Sequence, residues 1–121
     1  MKRSDIAAIE AQFDVTLPGE YVSLLLAYPK DLPEVVSGLE LYNQQWELVS
    51  DNESVRKGPL WGVTWPAHYF VIGSDGAGNY FCIDTKHTAP PILFFDHDDR
   101  TFRQEAPSLA EWLPQLRELH S

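Results

Sequence analysis

The residues Asp96-His97-Asp98-Asp99 put three carboxylates and an imidazole on consecutive positions, the strongest metal-ligand composition in the chain. Such donors hold a cation only when they converge on it. If the segment is extended, side chains alternate, so Asp96 and Asp98 share one side and His97 opposes them. A metal site would then need donors from elsewhere, with His68, His87 and Asp84 as the candidates. The simpler reading is a solvated turn whose Asp96, Asp98 and Asp99 face a cationic partner. No metal and no cofactor are expected.

A second possibility comes from Val71-Ile72-Gly73-Ser74-Asp75-Gly76-Ala77-Gly78-Asn79-Tyr80, where three glycines fall within six residues. A phosphate cradle needs backbone N–H groups and a helix N-terminus aimed at the anion, usually with a lysine. Here the strand pattern Tyr80-Phe81-Cys82-Ile83 follows, and no lysine lies between Lys57 and Lys86. A calcium loop of the EF-hand type needs oxygen ligands at alternate positions and a distal glutamate. Ala77 and Tyr80 interrupt the oxygens, and no glutamate follows before Glu105. A hairpin turn fits best. Asp75-Gly76 is a strong turn signal between two β-type runs, and the further glycines permit a bulge or a wide turn.

Nucleophilic chemistry has no better support. Gly73-Ser74-Asp75-Gly76 lacks the Gly-x-Ser-x-Gly spacing, and among 18 acids no pair stands out for acid–base work. Cys82, the only cysteine, lies in an apolar run and reads as a buried thiol. No enzymatic activity is expected. The loop Trp61-Gly62-Val63-Thr64-Trp65-Pro66 carries two indoles, which are either core plugs or partner anchors, since Trp is frequent among binding hot spots. The core reading leads, but Trp61 and Trp65 stay candidate contacts beside Asp75, Asp84, Asp96, Asp98 and Asp99. Trp46 is open to the same two readings, while Trp112 is expected in the core.

Charge narrows the class of partner. The chain has 18 acids against 9 bases, a formal −9, and from Asp31 to Val55 it carries six acids (Asp31, Glu34, Glu40, Glu47, Asp51, Glu53) and no base. Such a surface repels phosphate backbones, which disfavours direct nucleic-acid binding. It steers a basic partner instead. A length of 121 residues with 44% apolar content suits one domain, 1–121, with a buried core. No apolar run approaches the roughly 18 residues of a membrane span. The opening MKRSDIAAIEAQF spaces its apolar residues and meets an acid early, unlike a signal peptide. With a single cysteine and no export signal, the cytoplasm is the expected compartment.

The elements that must hold these residues are short. Ser4 is a candidate cap for a helix with Ile6, Ile9 and Phe13 at helical spacing. Leu17-Pro18-Gly19-Glu20-Tyr21 restarts the pattern, with Tyr21, Leu24, Leu25 and Tyr28 as its stripe and Pro29 and Pro33 as its stop. Leu39, Leu41, Leu48 and Val49 read as short strands around a turn at Tyr42–Trp46, and Asp51–Pro66 as a long loop. Tyr69–Ile72, Tyr80–Ile83 and Ile92–Phe95 are strand candidates, with Thr101-Phe102-Arg103 a possible edge. Ser108-Leu109-Ala110-Glu111 is a capping box for a last helix with Leu109, Trp112, Leu113, Leu116 and Leu119 on its apolar side. Helices, then strands, then a helix argue for α+β.

Several of these pieces, in this order, resemble the SUKH superfamily, the Smi/Knr-type domain. They are Ile9-Glu10 through Leu17-Pro18-Gly19-Glu20-Tyr21 with Leu24-Leu25, then Ile72 to Tyr80 with Asp84. Leu93-Phe94-Phe95-Asp96-His97-Asp98 follows, and Leu109 to Leu113 with its Trp-Leu pair closes the set. One departure is Tyr28-Pro29-Lys30-Asp31, where many members carry Asn-Gly. The resemblance implies an α+β fold, a mostly antiparallel sheet with N-terminal and C-terminal helices packed on one side. It also implies a non-enzymatic role. Many bacterial members are immunity proteins that neutralise a cognate toxin, and fungal relatives regulate cell-wall synthesis through protein contacts.

The resulting expectation is a cytoplasmic immunity protein. It would block the active site, or an adjacent exosite, of a cognate protein toxin with a basic surface, a nuclease being one class. A non-catalytic scaffold or regulatory module of the same fold is the alternative, and a small metal enzyme built on Asp96 to Asp99 is the third. Neither nucleic acid nor membrane is an expected partner. A monomer or a weak homodimer is expected, the latter through an exposed hairpin edge.

Overall fold

Apolar spacing in the first third of the chain forms two helices. In the computed structural model, α1 spans Arg3–Phe13 and buries Ile6 and Ile9, while α2 spans Gly19–Leu26 and buries Tyr21, Leu24 and Leu25. The structure describes residues 1–33, 35–36 and 38–120, so Glu34 of the acidic run lies outside the described residues. Ser4 falls inside α1 rather than capping it. The Asp5 carboxylate takes that role by accepting the Lys2 backbone N–H at 3.0 Å. Pro18 precedes α2, where a missing N–H costs nothing.

The strands are β1 (Val35–Val36), β2 (Leu39–Leu41), β3 (Tyr69–Ser74), β4 (Tyr80–Asp84), β5 (Ile92–Asp96) and β6 (Thr101–Ala106). They form one antiparallel meander in sequence order. The β3–β4 connection is the hairpin expected at Asp75-Gly76, with a register shift between Val71 and Gly73. Gly73 is required there, because a Cβ would collide with the Glu40 carbonyl oxygen of β2. Helix α4 (Leu109–His120) closes the chain, and its capping box forms, the Ser108 hydroxyl accepting the Glu111 N–H at 3.2 Å.

Register decides which residues share a face. Phe70 pairs Ile83, Ile83 pairs Ile92, and Phe81 pairs Phe94, so these side chains lie on one face. Phe13 and Tyr21 meet Phe70 edge-on at 6.1 and 6.2 Å, and Trp112 meets Phe81 at 5.1 Å. The N-terminal and C-terminal helices therefore cover that one side, and the fold is α+β as expected. The opposite face carries the cross-strand row Glu40, Ser74, Tyr80, Phe95, Phe102. Trp65 roofs its apolar end, with ring centroids 6.3, 5.6 and 5.2 Å from Tyr80, Phe95 and Phe102.

The expected strand at Leu48-Val49 is wrong, and so is the start of the loop expected over Asp51–Pro66, which begins only after Arg56. The segment is a helix, α3 (Gln45–Arg56). Its buried stripe is Leu48, Asn52 and Val55, so an asparagine occupies a position where a helical pattern shows an apolar residue. The reason lies in the sheet. β2 pairs β3 only at Gly73 and Ser74, leaving the first half of β3 without a strand on that side. Asn52 replaces it. Its Nδ2 donates to the Val71 carbonyl at 3.0 Å and its Oδ1 accepts the Val71 N–H at 2.8 Å. One helix turn on, the Arg56 guanidinium donates to the Ala67 and Tyr69 carbonyls, each at 2.8 Å. Buried backbone groups need partners, and α3 supplies them by side chain.

Candidate functional site

A meander returns every second connection to the same end of the sheet. The β1–β2, β3–β4 and β5–β6 turns therefore lie side by side. A Cβ on Gly76 would come within 3.3 Å of the Gly38 carbonyl oxygen, which measures how closely the first two tips approach.

Each of the other tips is built on an aspartate that folds its own backbone. Asp75 Oδ1 accepts the Ala77 N–H at 2.9 Å and the Asn79 N–H at 3.2 Å, and its Oδ2 accepts the Asn79 side-chain amide at 2.7 Å. Burial alone would raise the Asp75 carboxyl. The bonds from the Asn79 side chain and from the Ala77 and Asn79 backbone outweigh it and hold the group below the usual carboxylate range. Asp96 Oδ1 likewise accepts the Asp98 and Asp99 N–H groups at 2.9 and 3.4 Å. Its Oδ2 lies 3.4 Å from the Arg103 guanidinium. This is aspartate turn chemistry, and it leaves Asp98 and Asp99 exposed at the tip.

Asn79 joins the two tips. With its amide nitrogen committed to Asp75, its Oδ1 accepts the His97 N–H at 2.9 Å and faces His97 Nδ1 at 2.6 Å. Nδ1 must then carry the hydrogen, which turns Nε2 outward, 3.4 Å from Asp98 Oδ1. The Trp61 indole lies against the other side of this imidazole, with centroids 4.9 Å apart. Trp61 and Gly62 form a two-residue turn closed by paired Leu60–Val63 backbone bonds of 2.8 Å, with φ of 52° and 81°. Both central residues have positive φ, the pattern of a type I′ turn. A left-handed φ is strained for a bulky side chain. The indole remains 50% exposed.

The tips thus bring together five of the residues singled out in the sequence: Trp61, Asp75, Asp96, Asp98 and Asp99. Two fall elsewhere. Asp84 ends β4 at the far end of the sheet, with His68 Nε2 at 3.8 Å and His87 Nε2 at 3.5 Å. Trp65 is only 6% exposed, its Nε1 donating to the Tyr69 carbonyl at 2.8 Å, so the core reading holds for Trp65 and fails for Trp61. The strained turn swings Trp61 away from the ring cluster that takes Trp65. The additional donors considered for an Asp96 metal site, namely His68, His87 and Asp84, are at the wrong end. Among the described residues no group of three or more His, Cys, Asp or Glu is arranged to hold a metal ion. Cys82 is buried, and burial, then the nearby Asp84 carboxylate, pushes its thiol up, away from a reactive thiolate.

The sequence reading missed a neighbouring recess. Glu40, Tyr42, Trp46, Glu47, Ser50 and Asp51 line a hollow of about 180 Å³ between β2 and α3. The Tyr42 hydroxyl donates to Asp51 Oδ2. A helical reading of Gln45–Arg56 would have revealed it, because Glu47 and Asp51 then share a helix face.

Among the described residues, no helix is long and apolar enough to cross a membrane. No curated protein matches the chain. The model of the SMI1/KNR4 family (SUKH-1) matches residues 2–115, nearly all of it. With the ordered motifs, the flanking helices and the antiparallel meander all in agreement, the chain belongs to the SMI1/KNR4 family, SUKH-1.

Proposed function

We propose that the protein is an immunity protein, which binds a cognate bacterial toxin domain through the hairpin-tip end of its sheet and so neutralises it. The observation that carries this reading is Trp61. A bulky side chain in a left-handed turn, half exposed and tilted against His97, is costly to keep for folding alone, and local strain of this kind clusters at functional sites. Around it stand Asp98 and Asp99, with Asp75 and Asp96 fixing the backbone. An exposed indole on a tip that carries Asp98 and Asp99 beside one base, Arg100, suits a basic protein surface: the indole anchors and the net negative charge of the chain steers. A nuclease cleft is one such surface, and covering it or an adjacent exosite would exclude the nucleic acid. Family membership supports a protein-binding role rather than a catalytic one. On this reading the protein acts in the cytoplasm, as a monomer or as a weak homodimer paired through an outer strand of the sheet.

The test is protection. The product of an adjoining toxin-like gene is expressed with the wild-type protein or with Trp61→Ala/Asp98→Lys/Asp99→Lys. The wild-type protein should restore growth and bind the toxin domain more weakly as salt rises, and the triple variant should do neither at normal expression. Equal protection by the triple variant would remove the hairpin tips from the interface. Failure of the wild-type protein to bind any such domain, with capture of a housekeeping partner instead, would favour the scaffold reading.

A further inference from the structure

The recess beside Trp46 has the lining of a receptor for one cationic side chain, and this inference rests on the toxin-binding reading above. Of the six residues around the hollow of about 180 Å³, Glu40, Glu47 and Asp51 are acids and none is a base. Its outer wall is the Trp46 indole, 71% exposed, the largest exposed fraction among the large apolar side chains. A second hollow, of about 420 Å³, flanks the same indole and is lined by Met1, Tyr28, Asn43 and Gln45 among others. An indole standing between two depressions is a ridge that an extended segment can straddle. The ridge is also firmly mounted. α3 is tied to β3 through Asn52 and Arg56, so the indole does not depend on a loop for its position.

The recess lies on the tip-bearing side of the same sheet face. Glu40 pairs Ser74, and Ser74 pairs Tyr80, the strand residues flanking the Asp75 tip. One partner could therefore reach both. The chemistry selects among cations. A guanidinium stacks flat on an indole and presents a fork of N–H donors to carboxylates, whereas an ammonium has neither plane nor fork. Burial, then the bond to Asp51, pushes the Tyr42 hydroxyl up, so it stays a neutral donor and adds no charge to the wall. We propose that this recess receives an arginine side chain of the protein partner, its guanidinium stacked on Trp46 and paired with Glu40 and Asp51.

The experiment needs no knowledge of the toxin. The full-length ¹⁵N-labelled protein is titrated with three capped tripeptides carrying arginine, lysine or the neutral isostere citrulline between glycines. The Trp46 indole N–H, identified by its loss in Trp46→Phe, is the reporter. The arginine peptide should shift it saturably, with half-saturation on the order of 1–10 mM for so small a ligand. Citrulline should leave it unmoved, and Glu40→Gln should weaken the arginine response about fivefold. Equal shifts from arginine and citrulline, a stronger response to lysine, or movement of the Trp61 indole alone would overturn the proposal. Where a toxin domain is captured, Trp46→Ala should bind it about tenfold more weakly. Wild-type affinity in that variant would sink the arginine recess and leave the immunity reading standing. Absence of any toxin partner would sink both.

Discussion

Trp61 and Trp65 stand four residues apart in one loop and meet opposite fates. Trp65 closes the open face of the sheet, 6% exposed among Tyr80, Phe95 and Phe102. Trp61 is 50% exposed in a left-handed turn against His97. The same residue type, in the same loop, serves the core in one case and the surface in the other. What separates them is backbone: the turn at Trp61-Gly62 reverses the chain over the hairpin tips, and the chain beyond it drops onto the aromatic row. The contrast extends to the regions they belong to. The roof is apolar and self-satisfied, whereas the tips hold acids in turns that are tied to backbone and leave their outer members in water.

The contrast can be broken most forcefully at Trp65. Trp65→Ala should lower stability by about 3–5 kcal/mol in urea denaturation, since the ring cluster cannot collapse onto so large a void. A loss below about 1 kcal/mol would mean that the roof is not part of the core. Asn52→Leu should come next, at about 2–3 kcal/mol, because the Val71 N–H and carbonyl lose buried partners however well leucine fills the space. Slowed amide exchange at Val71 in that variant would contradict the bridging role.

Trp61→Gly sharpens the other side of the comparison. Relief of the left-handed strain offsets the lost ring contact with His97, so stability should change by no more than about 1 kcal/mol. Affinity for the toxin domain should nonetheless fall about tenfold or more. A large loss of stability would make Trp61 a second core residue. The smallest effect belongs to Asp75. Its folded pKa is depressed, so its contribution to stability is present above its unfolded pKa of about 4 and is lost as pH falls through the folded value. Asp75→Asn should therefore flatten the acid limb of a stability–pH curve below about pH 4 and leave its shape unchanged near neutrality. An unaltered acid limb would show that the turn does not hold the carboxylate ionised.

Most of the fold was legible because its elements agree with their own patterns. The capping box at Ser108, the restart at Leu17-Pro18, and the alternation around Asp75-Gly76 each name an element without help from elsewhere. α3 was not legible. Its polar composition and single buried asparagine make sense only beside β3, whose bare edge no local pattern reveals. The candidate site divides in the same way. Asp75 and Asp96 were visible as turn formers, but the union of their turns through Asn79 and His97 depends on sheet register. Asp84 was grouped with them by type alone and sits at the opposite end. Trp46 and its recess were hidden by the misread helix.

The meander has a further consequence, for the order in which the chain assembles. Every strand pairs with the one just before or after it, and the β3–β4, β4–β5 and β5–β6 connections close short loops, whereas β2 must wait for β3 across the segment that holds α3. α3 has little reason to form until β3 offers Val71, 19 positions further on. α1 and α2 need the same strand, because Phe70 is what Phe13 and Tyr21 pack on. The two helices that open the chain therefore lack this packing partner until β3 is made, and the end that carries Trp61 and the aspartates takes shape with the strands themselves.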